Sequence, residues 1–388
     1  MVSLGIDRLL AEPPDFVRDA RLGLITNASG VNEDLETTLD LLAGHEEMDV
    51  RVAFGPEHGV RGDKEAGVKF SDTVDDATGV PVKSLYGETR RLQPEHVDDL
   101  DVVLYDLQTV GCRFYTYLYT LAYALEGVAG TDTELVVLDR PNPIAPLGVD
   151  GNRVPEKHAS FVSGYRLPIT YRLTVGELAA YFNREFEIGA QLRVVELDGW
   201  DHETWYDETG LHWVRPSPNL PTLESTLLYP GTCFFEGTNL SEGRGTTKPF
   251  EFVGAPWIDP IEFADLLDGL GVPGVRFRPA YVTPSFSKHE GTRTGGVEIH
   301  VDDRDALSPV QVGLTILTAA FQEYPETEWR MDEGLGTVDR LAGGPGVRER
   351  VEDADSGADP LAVCESIRDS WRSDVEAFER VFERYRRY

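Results

Sequence analysis

Short apolar runs alternate with longer amphipathic segments through the first half of the chain. Four runs are rich in β-branched residues, a composition typical of parallel strands that are buried on both faces. These runs span residues 22–27, 50–55, 102–108 and 135–142. Between them, residues 33–44 and 115–130 place apolar side chains at helical spacing. The alternation predicts an α/β fold with a doubly wound, mostly parallel sheet.

A proline-rich segment, residues 215–231, is the best candidate for a domain boundary. Before it, a capped helix and a further strand are predicted at residues 174–186 and 191–197. Beyond it, strand-like or helical spacing occurs at residues 295–301, 309–324 and 361–388. A chain of 388 residues is long for one hydrophobic core. We therefore expect an N-terminal domain of residues 1–226 and a smaller α+β domain of residues 227–388 that completes a cleft.

Polar residues follow the carboxyl ends of the predicted strands. Ligands of open α/β sheets bind outside this edge, so we expect these side chains to converge on one site. Asp139 and Arg140 could equally form a structural pair. The clusters contain Asn27, Glu57, His58, Asp106, Gln108, Asp139, Arg140 and Asn142.

A glycine-spaced loop, residues 232–251, carries most of the polar chemistry of the second domain. Glycine allows left-handed turns and a close approach of backbone to ligand, but it costs conformational entropy on folding. So many glycines among acids, amides and hydroxyls indicate a polar pocket, and the alternative is a long solvated loop. The candidate binding residues are Glu236, Asn239, Glu242, Arg244 and Glu251.

The composition of the chain excludes some classes of binding partner. The formal net charge is −32, and only six of the 36 basic residues are lysines, a balance typical of proteins from salt-loving organisms. Such a surface repels nucleic-acid phosphates. The sequence has neither a run of about 18 apolar residues nor a signal-peptide pattern, so we expect a cytoplasmic protein that does not span a membrane. The three cysteines lie far apart without ligand spacing, so neither zinc nor a disulfide scaffold is predicted.

The motif FGPEHGVRG, residues 54–62, indicates acid–base chemistry. Glu57 and the adjacent His58 are candidate catalytic residues, and Arg61, which follows between glycines, is a candidate for binding the substrate. A carboxylic acid becomes a useful general acid when burial raises its pKa towards neutrality, and it then contributes about 10²–10⁴-fold. His58 lacks the nearby second histidine that a metal site would use. The alternative is that Glu57 and His58 only hydrogen-bond the turn.

The segment 105–120 combines an arginine with aromatic rings. Arg113 suits recognition of a carboxylate, and Tyr115 and Tyr117 suit the apolar face of a sugar, although Tyr117 could simply pack in the core. No G-x-G-x-x-G follows the first strand, and neither a P-loop nor a G-x-S-x-G pattern occurs. The sequence therefore supports neither a nucleotide cofactor nor a serine hydrolase, and no cofactor is predicted.

Several motifs, in their order and spacing, resemble the NamZ-type exo-β-N-acetylmuramidases, formerly the domain of unknown function DUF1343. The resemblance covers almost the whole chain and implies a Rossmann-like N-terminal domain, a smaller C-terminal domain and an active-site cleft between them. It also implies removal of terminal N-acetylmuramic acid from the non-reducing end of peptidoglycan fragments. The motifs are GPEHGVRG, SLYG, YDLQTVGCRFYTY, LDRPNP, TVGELA, PSPNLPT, the 232–251 loop and GAPWID.

Carried onto this sequence, the resemblance makes Glu57 the first candidate for the catalytic acid/base. Glu236 and Glu242 are candidates for its partner carboxylate or for binding sugar hydroxyls. The substrate would be a small glycan or amino sugar; the oligomeric state and the choice between retention, inversion and substrate assistance stay open. The candidates for binding the lactyl carboxylate of muramic acid are Arg113, Arg140 and Arg244.

Two positions depart from the family pattern. Thr109 stands where an acid is expected, and Tyr171 stands where a histidine is expected. If either touched the substrate, the recognised sugar would differ. The main alternative is therefore a non-catalytic sugar-binding or sensing protein on the same fold. A third hypothesis is an enzyme that uses a nucleotide or a phosphate at the strand edge.

Overall fold

A computed structural model describes residues 2–65, 67–87, 89–332, 335–355 and 357–388. A seven-stranded sheet forms the centre of the N-terminal domain. Its strands are β1 (Arg21–Thr26), β2 (Asp49–Gly55), β3 (Thr73–Val74), β4 (Pro81–Ser84), β5 (Val102–Asp106), β6 (Glu134–Leu138) and β7 (Leu192–Val195). The helices of this domain are α1 (Gly5–Ala11), α2 (Thr38–Ala43), α3 (Tyr117–Val128) and α4 (Val175–Glu185).

The strands of the large sheet lie in the order β3-β4-β2-β1-β5-β6-β7. All neighbours run parallel except β3 and β4. Strand β1 pairs with β2 on one side and with β5 on the other, so the winding of the chain reverses at β1. Ligand sites of doubly wound folds lie at such a reversal, outside the carboxyl ends of the strands. The predicted α/β fold is confirmed.

Strand β5 shows why the central strands are almost entirely apolar. Val102 and Leu104 pack into a core with α1 and α2, whereas Val103 and Tyr105 face a second core with α3 and α4. Successive side chains of a strand point to opposite faces, so both faces of this sheet are buried. The second core continues without interruption into the C-terminal domain. The two domains therefore share one hydrophobic core.

The C-terminal domain is built on a three-stranded antiparallel sheet of order β8-β10-β9, with helices packed around it. The strands, with a further short pair, are β8 (Phe252–Ala255), β9 (Val275–Val282), β10 (Thr294–Val301), β11 (Met331–Asp332) and β12 (Leu335–Gly336). The helices are α5 (Leu223–Thr232), α6 (Pro260–Leu270), α7 (Pro309–Glu323), α8 (Thr337–Ala342), α9 (Gly346–Glu352), α10 (Pro360–Asp369) and α11 (Arg372–Tyr385). Within the described residues, no helix is long and apolar enough to cross a bilayer.

Helices α5 and α7 cross at two glycines. A Cβ atom on Gly231 would collide with the Pro309 carbonyl, and one on Gly313 would collide with the Gly231 carbonyl. Only glycine allows this contact, which fixes α5 against α7. The predicted domain boundary after residue 226 falls inside α5.

Two predicted helices differ from the observed ones. The helix predicted for residues 33–44 begins only at Thr38, because the Asn32 carboxamide oxygen accepts the backbone N–H groups of Asp34 (3.1 Å) and Glu36 (2.7 Å). Such a side-chain turn competes with helix formation. The closing helix predicted for residues 361–388 is divided into α10 and α11, with Trp371 buried between them.

Candidate active site between the two domains

A cleft of about 750 Å³ lies between the two domains. One wall belongs to the glycine-spaced loop 232–251, and the opposite wall belongs to the N-terminal domain. The loop between β9 and β10 completes the rim. The lining residues used below are Glu65, Gly67, Asn219, Arg244, Thr246 and Phe286. The predicted polar pocket of the 232–251 loop is therefore one side of an interdomain cleft.

Glu57 stands on the turn after β2, half-buried, beside this cleft. Its carboxylate accepts hydrogen bonds from the cleft-lining Gly67 N–H (2.9 Å) and the Thr116 hydroxyl (2.9 Å). Both donors are uncharged. The carboxylate also faces the Tyr86 hydroxyl, whose pKa is raised to about 12 by burial and then by the charge of Glu57. Tyr86 is thus a neutral donor at neutral pH.

Tyr117 fixes the turn that carries Glu57. Its hydroxyl lies 3.0 Å from the Glu57 carbonyl oxygen and 2.8 Å from the Pro216 carbonyl oxygen, and it accepts a hydrogen bond from Asn27 (2.6 Å). The Tyr115 ring packs edge-on against Tyr117, with centroids 4.8 Å apart. Both tyrosines are buried. They stabilise the turn that carries Glu57. The expectation that they contact a sugar does not fit their burial.

His58 and Arg61 stabilise the loop after β2 rather than line the cleft. His58 is buried in left-handed conformation (φ 76°), with Nδ1 2.8 Å from the Lys64 carbonyl oxygen. Arg61 binds Asp40 (2.7 Å) and Asp75 (2.6 Å), and its hydrogen bonds hold the pKa of Asp75 well below its usual range. The alternative that His58 only hydrogen-bonds the turn matches this geometry.

Asp106 and Arg140 form a buried ion pair across the ends of β5 and β6. Arg140 Nε lies 2.5 Å from Asp106 Oδ1, and Nη2 lies 2.9 Å from Oδ2. Arg140 also donates to the Val31 carbonyl (2.7 Å), and Asp106 accepts from the Thr38 hydroxyl. Both charged side chains are almost completely excluded from solvent. Arg140 therefore pairs with Asp106, not with Asp139, and is not available to a lactyl carboxylate.

Asp139 caps the beginning of α4. Its oxygens accept hydrogen bonds from the N–H groups of Arg140 (2.9 Å) and Gly176 (2.8 Å) and from the hydroxyls of Thr174 (2.8 Å) and Tyr388 (2.7 Å). Burial raises the pKa of Asp139 to about 6 despite these donors. With four donors and no exposed surface, the carboxyl has no room for a substrate.

The two strand-end amides, Gln108 and Asn142, are also structural. Gln108 Nε2 donates to the carbonyls of Thr109 and Pro141, both at 2.8 Å. Asn142 donates to the Leu173 carbonyl (3.1 Å). Both side chains are buried. They connect neighbouring turns at the sheet edge and do not reach the cleft surface.

Arg113 connects the two domains. Its guanidinium group donates to the carbonyls of Leu167 (3.1 Å) and Leu341 (2.8 Å) and to the side chain of Asn152 (3.0 Å). The residue is completely buried, and burial lowers its pKa to about 10. Because these acceptors come from its own chain, Arg113 does not serve a substrate carboxylate.

Glu242, in the 232–251 loop, is buried behind the cleft wall, with 1% of its surface exposed. Lys288 Nζ lies 2.9 Å from one carboxylate oxygen, and Arg244 Nη1 lies 3.4 Å from the other. Burial opposes ionisation, but the charges of Lys288 and Arg244 outweigh it and keep the pKa of Glu242 below its ordinary value. Glu242 is therefore a carboxylate that positions Arg244, rather than a group that faces a glycosidic oxygen.

Arg244 is the charged residue of this loop that lines the cleft. Its Nη1 lies 2.7 Å from Glu236 Oε1, and the guanidinium group lies over the Phe250 ring, 5.0 Å from the centroid. Burial opposes its charge, but Glu236 and Glu242 raise the pKa of Arg244. Since both acids bind Nη1, the Nη2 edge is left for a ligand.

The other two polar residues predicted in this loop stabilise the domain. Asn239 donates to the Glu326 carbonyl (2.7 Å) and accepts from the Glu328 N–H (3.0 Å). Glu251 accepts from Thr222 (2.9 Å) and Lys248 (2.6 Å). Neither is among the residues that line the cleft.

Thr109 and Tyr171, the two departures from the family pattern, lie against each other inside the N-terminal domain. Both are buried, with 1% and 0% of their surfaces exposed. Burial raises the pKa of Tyr171. Neither residue reaches the cleft surface, so the exchange of both concerns the interior of the domain.

Sequence reasoning missed Glu65, Asn219 and Phe286, which line the cleft, and Lys288, which binds Glu242 behind the cleft wall. Lys288 could have been noticed, because it is one of six lysines in a lysine-poor chain and stands between Ser287 and His289 in an otherwise polar loop. Asn219 lies in the PSPNLPT motif, which indicated a domain boundary. In the described part of the chain, no group of three or more histidine, cysteine, aspartate or glutamate residues is arranged to hold a metal ion.

Comparison with known proteins identifies the relatives of this chain. The model of exo-beta-N-acetylmuramidase NamZ, N-terminal, matches residues 22–224, and the C-terminal model of the same family matches residues 227–388. A peptidoglycan beta-N-acetylmuramidase NamZ from Bacillus subtilis (strain 168) is 43% identical over 384 residues, which is 99% of this chain and 91% of the relative.

Two solved structures show the same fold along the whole chain. Both are DUF1343 family proteins from Bacteroides fragilis NCTC 9343. The first superposes with a TM-score of 0.88 at 35% identity, and the second with 0.77 at 28% identity. In each case the match covers 100% of this chain and 99% of the solved one.

Proposed function

We propose that the protein releases terminal N-acetylmuramic acid, or a related N-acetylated acidic amino sugar, from the non-reducing end of a glycan. The chain belongs to the NamZ family of exo-β-N-acetylmuramidases and is a glycosidase. The family match over both domains supports the reaction class. The similarity to the peptidoglycan beta-N-acetylmuramidase of Bacillus subtilis supports the substrate class. The interdomain cleft is the proposed active site.

The environment of Glu57 is the observation that carries this proposal. Of the acids predicted at the carboxyl edge of the sheet, Asp106 and Asp139 are fully buried, whereas Glu57 is half-buried beside the cleft. A general acid must come within hydrogen-bond reach of the glycosidic oxygen. The half-buried position of Glu57 beside the cleft supports this role, and Gly67 and Thr116 fix its orientation. We assign it the role of catalytic acid/base.

Arg244 is the proposed anchor for the lactyl carboxylate that distinguishes muramic acid from glucosamine. A guanidinium group binds a carboxylate through charge-assisted hydrogen bonds. Glu236 and Glu242 hold Nη1 of this arginine, and Lys288 in turn neutralises Glu242. The local charges therefore balance, and an incoming carboxylate meets an oriented guanidinium group without an excess of negative charge.

The test is Glu57→Gln. We expect release of 4-nitrophenol from a 4-nitrophenyl glycoside of N-acetylmuramic acid to fall by about 10²-fold or more, because the acid/base proton is lost. Thermal stability should stay close to that of the parent protein. Glu95→Gln, the same change at an exposed position of the same domain, is the matched control and should retain full activity. Full activity of Glu57→Gln would remove Glu57 from the mechanism.

A further inference from the structure

A second cavity, of about 570 Å³, opens on the N-terminal domain between α3, α4 and residues 153–166. We call it the Arg153 pocket. Its lining combines aromatic rings with guanidinium groups, the two kinds of surface that bind a sugar ring and a carboxylate. The aromatic and arginine side chains of the lining include Arg91, Tyr123, Arg153, Phe161, Tyr165 and Arg166.

The lining of this pocket carries more arginines than acids, in a chain whose net charge is −32. Three arginines line the cavity, against the two carboxylates of Glu156 and Glu185. Arg91 pairs with Glu126, but in the described part of the chain neither Arg153 nor Arg166 forms an ion pair with a carboxylate. One of the pocket's own acids, Glu185, is neutralised from behind by Arg384 at 2.7 Å. The pocket therefore offers two guanidinium groups to an anion.

A row of stacked side chains connects the pocket to the proposed active site. Tyr86 faces the Glu57 carboxylate. The Arg90 guanidinium group lies over the Tyr86 ring (5.1 Å to the centroid) and also over the Phe161 ring (4.1 Å). Phe161 is stacked on Tyr123, with centroids 6.2 Å apart and an interplanar angle of 20°. This row of rings and guanidinium groups therefore leads from Glu57 to the pocket, with Arg90 exposed and Phe161 partly exposed along it.

Backbone strain occurs where the pocket presents Arg166. Tyr165 and Arg166 are consecutive non-glycine residues in left-handed conformation, with φ of 52° and 51°. Such residues are uncommon and persist where surrounding contacts impose them, often at ligand sites. Here the Tyr165 ring packs on Phe182 (4.7 Å between centroids), and its hydroxyl donates to Glu126 (2.8 Å). The strained turn leaves Arg166 exposed at the mouth of the pocket.

We propose that the Arg153 pocket binds a carboxylate-bearing sugar on the leaving-group side of the scissile bond. The proposal rests on the proposed function, because a glycan of alternating neutral and lactyl-substituted sugars presents a carboxylate at every second ring. The neutral sugar next to the cleaved bond would lie along Arg90 and Phe161. The following acidic sugar would then place its carboxylate between Arg153 and Arg166.

The experiment compares two substrates of different length. The disaccharide, N-acetylmuramic acid linked to N-acetylglucosamine, ends before the pocket, whereas the tetrasaccharide of two such units reaches it. In the double variant Arg153→Gln/Arg166→Gln, we expect kcat/KM for the tetrasaccharide to fall about 10-fold or more, the usual effect of losing hydrogen bonds to a charged group. Activity on the disaccharide should not change, and amidation of the internal carboxylate should reproduce the fall in the parent enzyme.

Arg276→Gln is the matched control, since this exposed arginine lies on β9 of the other domain. It should leave the ratio between the two substrates unchanged. An equal loss on both substrates, or no loss on either, would overturn the proposal.

Failure of the proposed function can be told apart from failure of this proposal by titration calorimetry. The tetrasaccharide is titrated into Glu57→Gln with and without the two arginine substitutions. If the protein with the two arginine substitutions binds the tetrasaccharide more weakly than Glu57→Gln alone, the result supports the pocket even when hydrolysis is not observed. Equal binding by the two proteins, or no binding by either, contradicts the pocket.

Discussion

The acids at the carboxyl edge of the large sheet fall into two groups. Glu57 follows β2, is half-buried, and is oriented by a peptide N–H and a hydroxyl. Asp106 ends β5 and Asp139 follows β6; both are completely buried and use their oxygens on groups of their own chain. All three stand at or just beyond the carboxyl end of a strand, so their position along the chain does not distinguish them.

The difference lies in how many partners the fold itself supplies. A buried carboxylate is tolerated only when its charge is paired and its oxygens are hydrogen-bonded. Asp106 meets this condition through Arg140, and Asp139 through four donors. A carboxylate satisfied in this way holds the sheet edge together and has no capacity for a substrate. Each Glu57 oxygen accepts one uncharged donor, from Gly67 or from Thr116, and the side chain is only half-buried, which leaves it able to act on a ligand.

The strongest way to break this comparison is Asp106→Ala. We expect a loss of about 3–5 kcal/mol in the free energy of unfolding, because Arg140 would remain buried without its counter-charge. Urea denaturation measures the loss. Replacing both partners, Asp106→Leu with Arg140→Met, should recover most of it, since apolar residues of similar size avoid the buried charge.

The activity of the same variants decides the role of Asp106. Folded Asp106→Leu/Arg140→Met protein should still cleave the chromogenic muramic-acid glycoside. Unchanged stability of Asp106→Ala together with lost turnover would instead place Asp106 in the chemistry.

Asp139→Asn probes the second buried acid through pH. The folded-state pKa of Asp139 is raised to about 6, above the value near 3.9 of an unfolded chain. The folded protein therefore binds this proton more tightly, and the contribution of Asp139 to stability falls as pH rises from 4 to 6, then stays constant. Asparagine does not titrate, so the free energy of unfolding of the parent protein should fall by about 3 kcal/mol more than that of the variant across this pH range. Urea unfolding at several pH values measures it, and parallel profiles of parent and variant would contradict the assignment.

Glu242→Gln sharpens the comparison within the cleft wall. We expect about 2 kcal/mol of lost stability, because Lys288 and Arg244 both lose a charged acceptor. The KM for the muramic-acid glycoside should also rise as Arg244 loses its orientation. Glu236→Gln is the matched control: this pair is partly exposed, so its loss should cost less than about 1 kcal/mol. Equal effects of the two variants would show that burial does not separate them.

The sequence predicted the large sheet well and the element boundaries less well. Strands β1, β2, β5 and β6 occur where continuous apolar runs indicated them, since burial on both faces leaves an unmistakable composition. The start of α2 was misplaced because the Asn32 side chain takes over the backbone donors that a helix would use. The division between α10 and α11 depends on the tertiary burial of Trp371, which helical spacing alone does not reveal.

For the site, the sequence indicated the right segments but not the right side chains. Glu57 and Arg244 remain the proposed chemical groups, whereas Arg113 and Arg140 are buried among acceptors supplied by distant parts of the chain. An arginine beside aromatic residues has the same local pattern whether it meets a ligand or a carbonyl such as that of Leu341. Only the three-dimensional supply of partners separates these cases.

Arg113 also bears on whether the two domains can move apart. Its guanidinium group reaches from one domain to a carbonyl at the end of α8 in the other, inside a core that both domains share. Separating the domains would remove an acceptor from a buried cation and expose that core. A hinge motion between the domains would therefore cost free energy. We therefore expect the interdomain cleft to keep its width with or without a sugar. Both domains should then melt as a single cooperative unit.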